Sequence, residues 1–284
     1  MTSRRYSALL RLSVVSLLGL GAQAQAQTTF DVIGPREYEL PVDFEPFNVF
    51  VQYATFQDNG RAYNDAGERV SGSGSKATTG LSKYVRFWSP ASNRNIGVAW
   101  EVIVPEVGIR NRGAANLDDR HISGIGDPLT GFAIWYRPRS HITLGFQSFL
   151  QIPIGTERVS DTNWKNLSSL FWDWRLGDKF GWTGDAGFVW QGERDSGLQP
   201  GLTWHSNHRL AYRASKRLEP FVALDNEHTR AKDGLPKGWA LDGGVGLMIH
   251  TFDNQSITLR YSTSLDGRNH SVNDSFNLKY AYVW

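Results

Sequence analysis

Read from end to end, hydrophobic and polar residues alternate with a period of two, in pieces of about ten residues, and helical spacing is almost absent. The last piece is the clearest. Phe276, Leu278, Tyr280, Tyr282 and Trp284 fall on one face, and Ser275, Asn277, Lys279, Ala281 and Val283 on the other. Ile257, Leu259, Tyr261 and Leu265 likewise oppose Thr258, Arg260, Ser262 and Ser264. Trp239, Leu241, Val245, Leu247 and Ile249 oppose Asp242, Gly244, Gly246 and His250. The same division separates Leu170, Trp172, Trp174 and Leu176 from Ser169, Asp173 and Arg175. It also separates Ile142, Leu144, Phe146, Leu150 and Ile152 from Thr143, Gly145, Gln147 and Gln151. Alternate side chains of a strand point to opposite faces, so each piece reads as a strand with one greasy and one polar side.

The pattern predicts about twelve strands, beginning near Phe47, Leu81, Asn95, Leu129, Ile142, Leu167, Trp182, Leu202, Leu218, Trp239, Ser256 and Asp274. Long connections (57–80, 105–127, 155–166, 192–200, 227–238 and 266–273) alternate with short ones (90–94, 137–141, 177–181, 214–217 and 252–255). A soluble sandwich or lipocalin-like barrel turns its apolar face inward, whereas an outer-membrane barrel turns it toward lipid. Strand length, an even strand number, the long–short rhythm and aromatic residues near strand ends favour the membrane arrangement. The polar faces also carry more charge than a dry core can pair. The expected fold is therefore all-β: a transmembrane antiparallel up-and-down barrel of about twelve strands, with ten to fourteen compatible with the pattern. Two pieces fit less well. LTWHSNHRLAYR sends Ser206 and His208 toward lipid, which calls for a bulge or a shorter span, and the piece around Tyr84, Arg86 and Trp88 has no clean polar face.

The one long apolar run lies at the start. Arg4 and Arg5 precede Leu12–Ala22, and small residues at Ala22, Ala24 and Ala26 supply cleavage sites near Ala24 or Ala26. Such an arrangement is a secretory signal, too short to span a bilayer as a helix. The expected organisation is a signal peptide over 1–26, a periplasmic or plug-like segment over 27–46 containing Pro35, Pro41 and Pro46, and a barrel over 47–284. Cleavage would remove three arginines and no acids, so 30 basic and 28 acidic residues become 27 and 28. The sequence pI of about 8.8 then gives no support to nucleic-acid binding. The absence of cysteine excludes a disulfide scaffold, a thiolate metal site, a cysteine nucleophile and an N-terminal lipid anchor on cysteine.

Candidate chemistry is sparse. In His205-Ser206-Asn207-His208 adjacent residues point to opposite faces, so neither a His–Ser pair nor a metal site follows. Ser71-Gly72-Ser73-Gly74-Ser75-Lys76 lacks the ending and the helix of a phosphate-binding loop. No catalytic, cofactor or metal site is expected. The polar faces instead nominate a mixed-sign lumen lining: Asp173, Arg175, Asp185, Arg209, Arg213, Asp225, Glu227, Asp242, Arg260 and Lys279. Phe50, Phe149, Phe171 and Phe221 fall on the same inward face and would form an apolar relay, subject to a one-residue slip. The aromatic last strand, Phe276, Leu278, Tyr280, Tyr282 and Trp284, looks like the C-terminal signal read by the barrel-assembly machinery.

Further residues carry a family resemblance. Gly124-Ile125-Gly126-Asp127 precedes a strand ending Phe132-Ala133-Ile134-Trp135-Tyr136, and the next strand ends Leu150-Gln151-Ile152-Pro153-Ile154-Gly155. Gly34-Pro35-Arg36-Glu37-Tyr38 precedes the first strand. This order resembles the outer-membrane family of the MetA-pathway of phenol degradation, with departures at Ile154 and at Asp161-Thr162-Asn163-Trp164. The resemblance implies an outer-membrane transporter for small hydrophobic or aromatic compounds, and it transfers no catalytic residues. Expected partners are outer-membrane lipid, the assembly machinery and a small permeant. A lipid-modifying hydrolase and a structural or adhesive barrel with partner-binding loops are the alternatives.

Overall fold

The computed structural model describes residues 46–111 and 120–284, so the expected signal sequence 1–26 and all but the end of segment 27–46 lie outside the described residues. In chain order the strands are β1 (Phe47–Asp58), β2 (Arg61–Tyr63), β3 (Arg69–Ser71), β4 (Ser75–Trp88), β5 (Ile96–Asn111), β6 (His121–Ile125), β7 (Leu129–Arg139) and β8 (Ile142–Gln151). There follow β9 (Lys165–Leu176), β10 (Phe180–Gln191), β11 (Thr203–Tyr212), β12 (Leu218–Thr229), β13 (Gly238–Phe252), β14 (Gln255–Arg268), β15 (His270–Ser271) and β16 (Asp274–Val283). Twelve of them, all but β2, β3, β6 and β15, form one closed antiparallel barrel. Closure is made by β1, which pairs with β4 on one side and with β16 on the other.

All twelve expected strands are present. The long expected connections are partly strand. The first contains β2, β3 and the beginning of β4, and the second contains the upper part of β5 and β6. Pro105, read as the start of a loop, sits inside β5 because of where that strand changes partner. Below it β5 pairs with β7 up to Ile103–Leu129, and above it with β6 from Glu106–Ile125. The missing amide hydrogen thus falls at the change of neighbour, while the Pro105 carbonyl accepts from Gly126 N at 2.8 Å.

Of the bulge or shorter span expected in β11, the strand shows no bulge and runs for ten residues, Thr203–Tyr212. Its register with β10 and β12 runs without a shift, and Ser206 and His208 do face outward. The His208 ring is accommodated on the outer wall between the indoles of Trp172 and Trp182, at centroid distances of 5.6 and 6.0 Å. Irregularities occur instead between β13 and β14, at Leu241/Asp242 and His250/Phe252, and between β7 and β8, at Tyr136/Arg139.

The greasy faces look outward. Phe132, Ile134, Phe146, Leu170, Val222, Val245 and Phe276 are all exposed. In the outer membrane these residues meet acyl chains, where the hydrophobic term favours them. The Pro-linked start of β1 and the end of β16 share the short-turn rim. At the long-loop rim β2, β3 and β15 form a small three-stranded sheet.

Candidate functional site

Inside the barrel the wall is divided. From β1 to β7 it is largely apolar, β8 and β9 mix Phe149, Leu167 and Phe171 with Gln147, Ser169 and Asp173, and from β10 to β16 it is largely polar and charged.

The apolar part has two clusters. Nearer the short turns, Phe47, Val49, Val51, Val85, Phe87, Ala99, Ala133, Trp135, Phe171 and Ala281 pack together. Within this cluster four rings form a ladder: Phe47 stacks on Phe87 at 4.5 Å, Phe87 meets Trp135 edge-on at 5.4 Å, and Trp135 meets Phe171 at 5.3 Å. These separations lie in the attractive range for aromatic pairs. Phe171 lies across Gly145 of the neighbouring strand, where an added Cβ would come within 2.0 Å of the ring, so this glycine is the floor of the ladder. Nearer the long loops, Ile103, Leu129, Phe149, Leu167 and Val189 form the second cluster, with Leu81 packed against it.

Between the two clusters lies one ion pair. Lys83 Nζ is 3.0 Å from Glu101 Oε2, and the side chains are 5% and 0% exposed. On β5 the order of inward residues is Ala99, Glu101, Ile103, and on β4 it is Leu81, Lys83, Val85. At the same level Gln147 Nε2 donates to Ser169 Oγ at 2.9 Å, so a buried polar belt separates the two apolar clusters.

The charged part carries the expected residues in cross-strand pairs. Arg260 pairs with Asp225. Asp185 accepts from Asn207 Nδ2 at 2.8 Å and faces His205 Nδ1 at 3.2 Å. Arg209 and Arg213 approach Glu219 at 3.5 and 3.6 Å, and the Arg209 guanidinium lies 4.0 Å over the Phe221 ring. Asp242 accepts from Asn273 Nδ2 at 3.1 Å, and Glu227 faces His270 Nε2 at 3.8 Å. Asp173 and Lys279 are buried on the same inner face, while Arg175 sits exposed at the short-turn end of β9. All ten expected lining residues thus take the inward phase of the alternation.

The expected phenylalanine relay needs correction. Phe50 faces outward, 37% exposed, opposite Tyr282 of β16. Strand β1 is apolar on both faces, so its alternation carries no phase; pairing sets it, by placing Val51 opposite Ala281 and Tyr53 opposite Lys279. Phe149, Phe171 and Phe221 do face inward, but in three surroundings: the upper cluster, the ladder and the underside of Arg209. The sequence reading missed Lys83, Glu101 and Glu219. A lysine and a glutamate isolated within apolar runs of β4 and β5 were the available signal.

The Gly124–Asp127 turn has a mechanical role. Asp127 accepts from Gly155 N, Ser160 Oγ and Asp161 N at 2.9, 2.7 and 2.8 Å, and so moors the loop after β8 against the wall. Gly155 is required by the close approach, since a Cβ there would lie 2.7 Å from the Gly126 carbonyl carbon. His205 faces inward and Ser206 outward, as alternation requires, so they make no nucleophile–base pair. No cluster of three or more metal-ligating side chains occurs among the described residues.

A family model described as "Putative MetA-pathway of phenol degradation" matches residues 59–280. Among solved structures, the COG4313 outer membrane channel from Pseudomonas putida F1 is similar, with a TM-score of 0.73 and 16% identity over 86% of this chain and 99% of that one. The β domain of the Bordetella autotransporter BrkA gives 0.53 and 10%, covering 84% and 100%. The CymD monoaromatic hydrocarbon channel gives 0.50 and 7%, covering 88% and 92%. At these identities the likeness is one of fold, shared by channels and by an autotransporter domain alike. No curated protein matches the chain.

Proposed function

The chain belongs to the MetA-pathway of phenol degradation family, and from that premise we propose that it is an outer-membrane channel for uptake of small hydrophobic or aromatic compounds. The observation that carries this reading is the inward ladder Phe47–Phe87–Trp135–Phe171, continued upward by the Ile103–Phe149–Val189 cluster. Two apolar clusters along one wall, separated by a polar belt, favour an apolar solute over bulk water at each of them. A twelve-stranded lumen is narrower than that of sixteen-stranded porins, so passage proceeds from site to site rather than by free diffusion. A monoaromatic hydrocarbon, the solute for which the CymD channel is named, is of the kind these apolar clusters would favour.

On the opposite wall Asp225, Asp242, Glu227 and Asp185 alternate with Arg260, Arg209 and His205. Mixed signs give little charge selectivity, unlike a ring of one sign. The outward aromatic face of β16, from Phe276 to Trp284, serves as the signal for the assembly machinery. Deleting Trp284 is expected to lower the yield of heat-modifiable barrel more than it alters permeation by the barrels that do form.

An uptake assay in a deletion strain tests the channel reading, comparing an aromatic compound, an alkane and a sugar at limiting concentration. Loss of aromatic uptake with sugar uptake unchanged is expected. Equal loss of all three would make the protein a general pore, and no loss would remove the uptake role.

A further inference from the structure

The two rims of the barrel differ in charge. The long loops mix signs at close range, as in Glu157-Arg158, Glu193-Arg194-Asp195 and Lys232-Asp233. The short turns do not. Three that follow one another around the barrel carry Arg137 and Arg139 between β7 and β8, Lys179 between β9 and β10, and Lys216 and Arg217 between β11 and β12. Within residues 137–141, 177–181 and 213–217 the only acid is Asp178. The flanking short turns carry Arg94 on one side and Asp253 on the other, so the positive excess belongs to one arc of the rim.

Backbone hydrogen bonds tie these turns into a single edge. Arg175 N donates to His141 O at 2.9 Å, Arg213 N to Lys179 O at 2.7 Å, and His250 N to Arg217 O at 2.9 Å. The cations are thereby held as neighbours. Arg139, Lys179, Lys216 and Arg217 are exposed, and none forms an ion pair with a described residue. Lys179 stands on the outer side of the wall. Its Nζ lies 5.8 Å from the ring centroid of Tyr212, which packs at 5.0 Å on the outward ring of Phe180. Leu218, next to Arg217, also faces outward, and Trp174 and Trp182 continue the aromatic surface above.

A row of one sign repels itself, and a counter-charge relieves that cost. In an outer-membrane barrel the short turns lie on the periplasmic side, at the headgroups of the inner leaflet. Outward rings with basic side chains beneath them match a lipid with apolar tails and an anionic head. The rings occupy the boundary between acyl chains and headgroups, and lysine and arginine are drawn to an anionic lipid surface. A zwitterionic head brings no net charge to the row, and a dissolved anion makes no use of the rings. We propose that the β7–β12 arc of the short-turn rim is a binding surface for anionic glycerophospholipids of the periplasmic leaflet. It stands apart from what passes through the barrel.

The test reconstitutes the full chain in phosphatidylcholine bilayers holding a minor share of phosphatidylglycerol, with spin-labelled forms of both lipids reporting which one the barrel immobilises. R139Q/K179Q/K216Q/R217Q removes four cations from the arc, and R158Q/R230Q/K232Q/K237Q removes four from the long loops; a heat-modifiable band reports folding of each. The wild-type chain is expected to prefer phosphatidylglycerol about threefold. That preference should vanish in the short-turn variant and in about 1 M salt, and persist in the long-loop variant. Equal association of the two lipids with the wild-type chain overturns the surface. So does a preference kept by the folded short-turn variant, or lost to the same degree in the long-loop variant. Should the fourfold short-turn variant not fold, K179Q/K216Q is read in its place: a preference reduced by about half supports the surface, and an unchanged one overturns it. Retention of the detergent-solubilised wild-type chain on immobilised polyglutamate, with no lipid preference in bilayers, would overturn it in favour of an acidic soluble partner.

Discussion

The two halves of the inner wall solve the problem of lining a lumen in opposite ways. The β10–β16 side gathers many charges and balances them across strands, so that Asp225 has Arg260, Glu219 has Arg209 and Arg213, and Asp185 has Asn207 and His205. The β1–β9 side presents rings and aliphatic side chains in two clusters, with the buried Lys83–Glu101 pair between them. Charges in a crowd share partners, so losing one leaves the others paired. A charge in an apolar surround has nowhere to turn. Lys83→Met should therefore cost about 3–5 kcal/mol, because it strands Glu101 without its partner. Arg213→Met, whose side chain is 37% exposed, should cost less than about 1 kcal/mol. Urea unfolding of the barrel in lipid bilayers measures both, and equal costs would erase the distinction between the two walls.

A second contrast separates inner wall from outer. Leu259 faces lipid in the row of Leu247 and Leu278, so Leu259→Arg should destabilise by about 2–4 kcal/mol. Thr183 faces the lumen beside Asp173 and Arg209 in register, and Thr183→Lys there should cost under about 1 kcal/mol. If the lumen substitution proved the more damaging, the assignment of faces would be reversed. The mooring of the loop after β8 comes next in size. Asp127→Ala leaves three donors of that loop without their acceptor and should cost about 1–3 kcal/mol, with faster proteolysis within residues 152–164.

How much of this was legible beforehand follows from how strongly each strand alternates. In β8, β9, β13, β14 and β16 one face is apolar and the other polar, and the pattern alone gave the side that meets lipid. In β1 and β4 both faces carry hydrophobic residues, because the inner wall there is itself apolar. Sequence then holds no phase, and Phe50 was placed on the wrong side. For the same reason Lys83 and Glu101 escaped notice, since neither sits on a polar face that would have nominated it. The charged half was readable because its inner face is made of residues that lipid excludes. The rest depended on register, which only pairing fixes.

The loops at the long-loop rim extend the comparison, and here pH is the probe. Over the charged half, β15 brings His270 against Glu227 and toward Asp242. Burial alone would lower the His270 pKa, but the hydrogen bond and charge of Glu227, the Ser271 carbonyl and Asp242 together raise it above the ordinary 6.5. A raised folded-state value stabilises below the unfolded value and loses that contribution as pH rises through the folded one. Over the apolar half, Asp161 is pushed up by burial and pulled down further by Lys165, for a net fall below 3.8. Its contribution is present above 3.8 and disappears as pH falls through the lower folded value. The two loops should consequently loosen at opposite ends of the pH scale. Amide exchange, corrected for its intrinsic pH dependence, should rise in 61–71 and 270–273 on the alkaline side of 6.5 while 152–164 stays protected. Below 3.8 the order should invert. His270→Ala should abolish the alkaline effect. If both loops loosened together at alkaline pH, His270 would not be what ties β15 to the β12 wall.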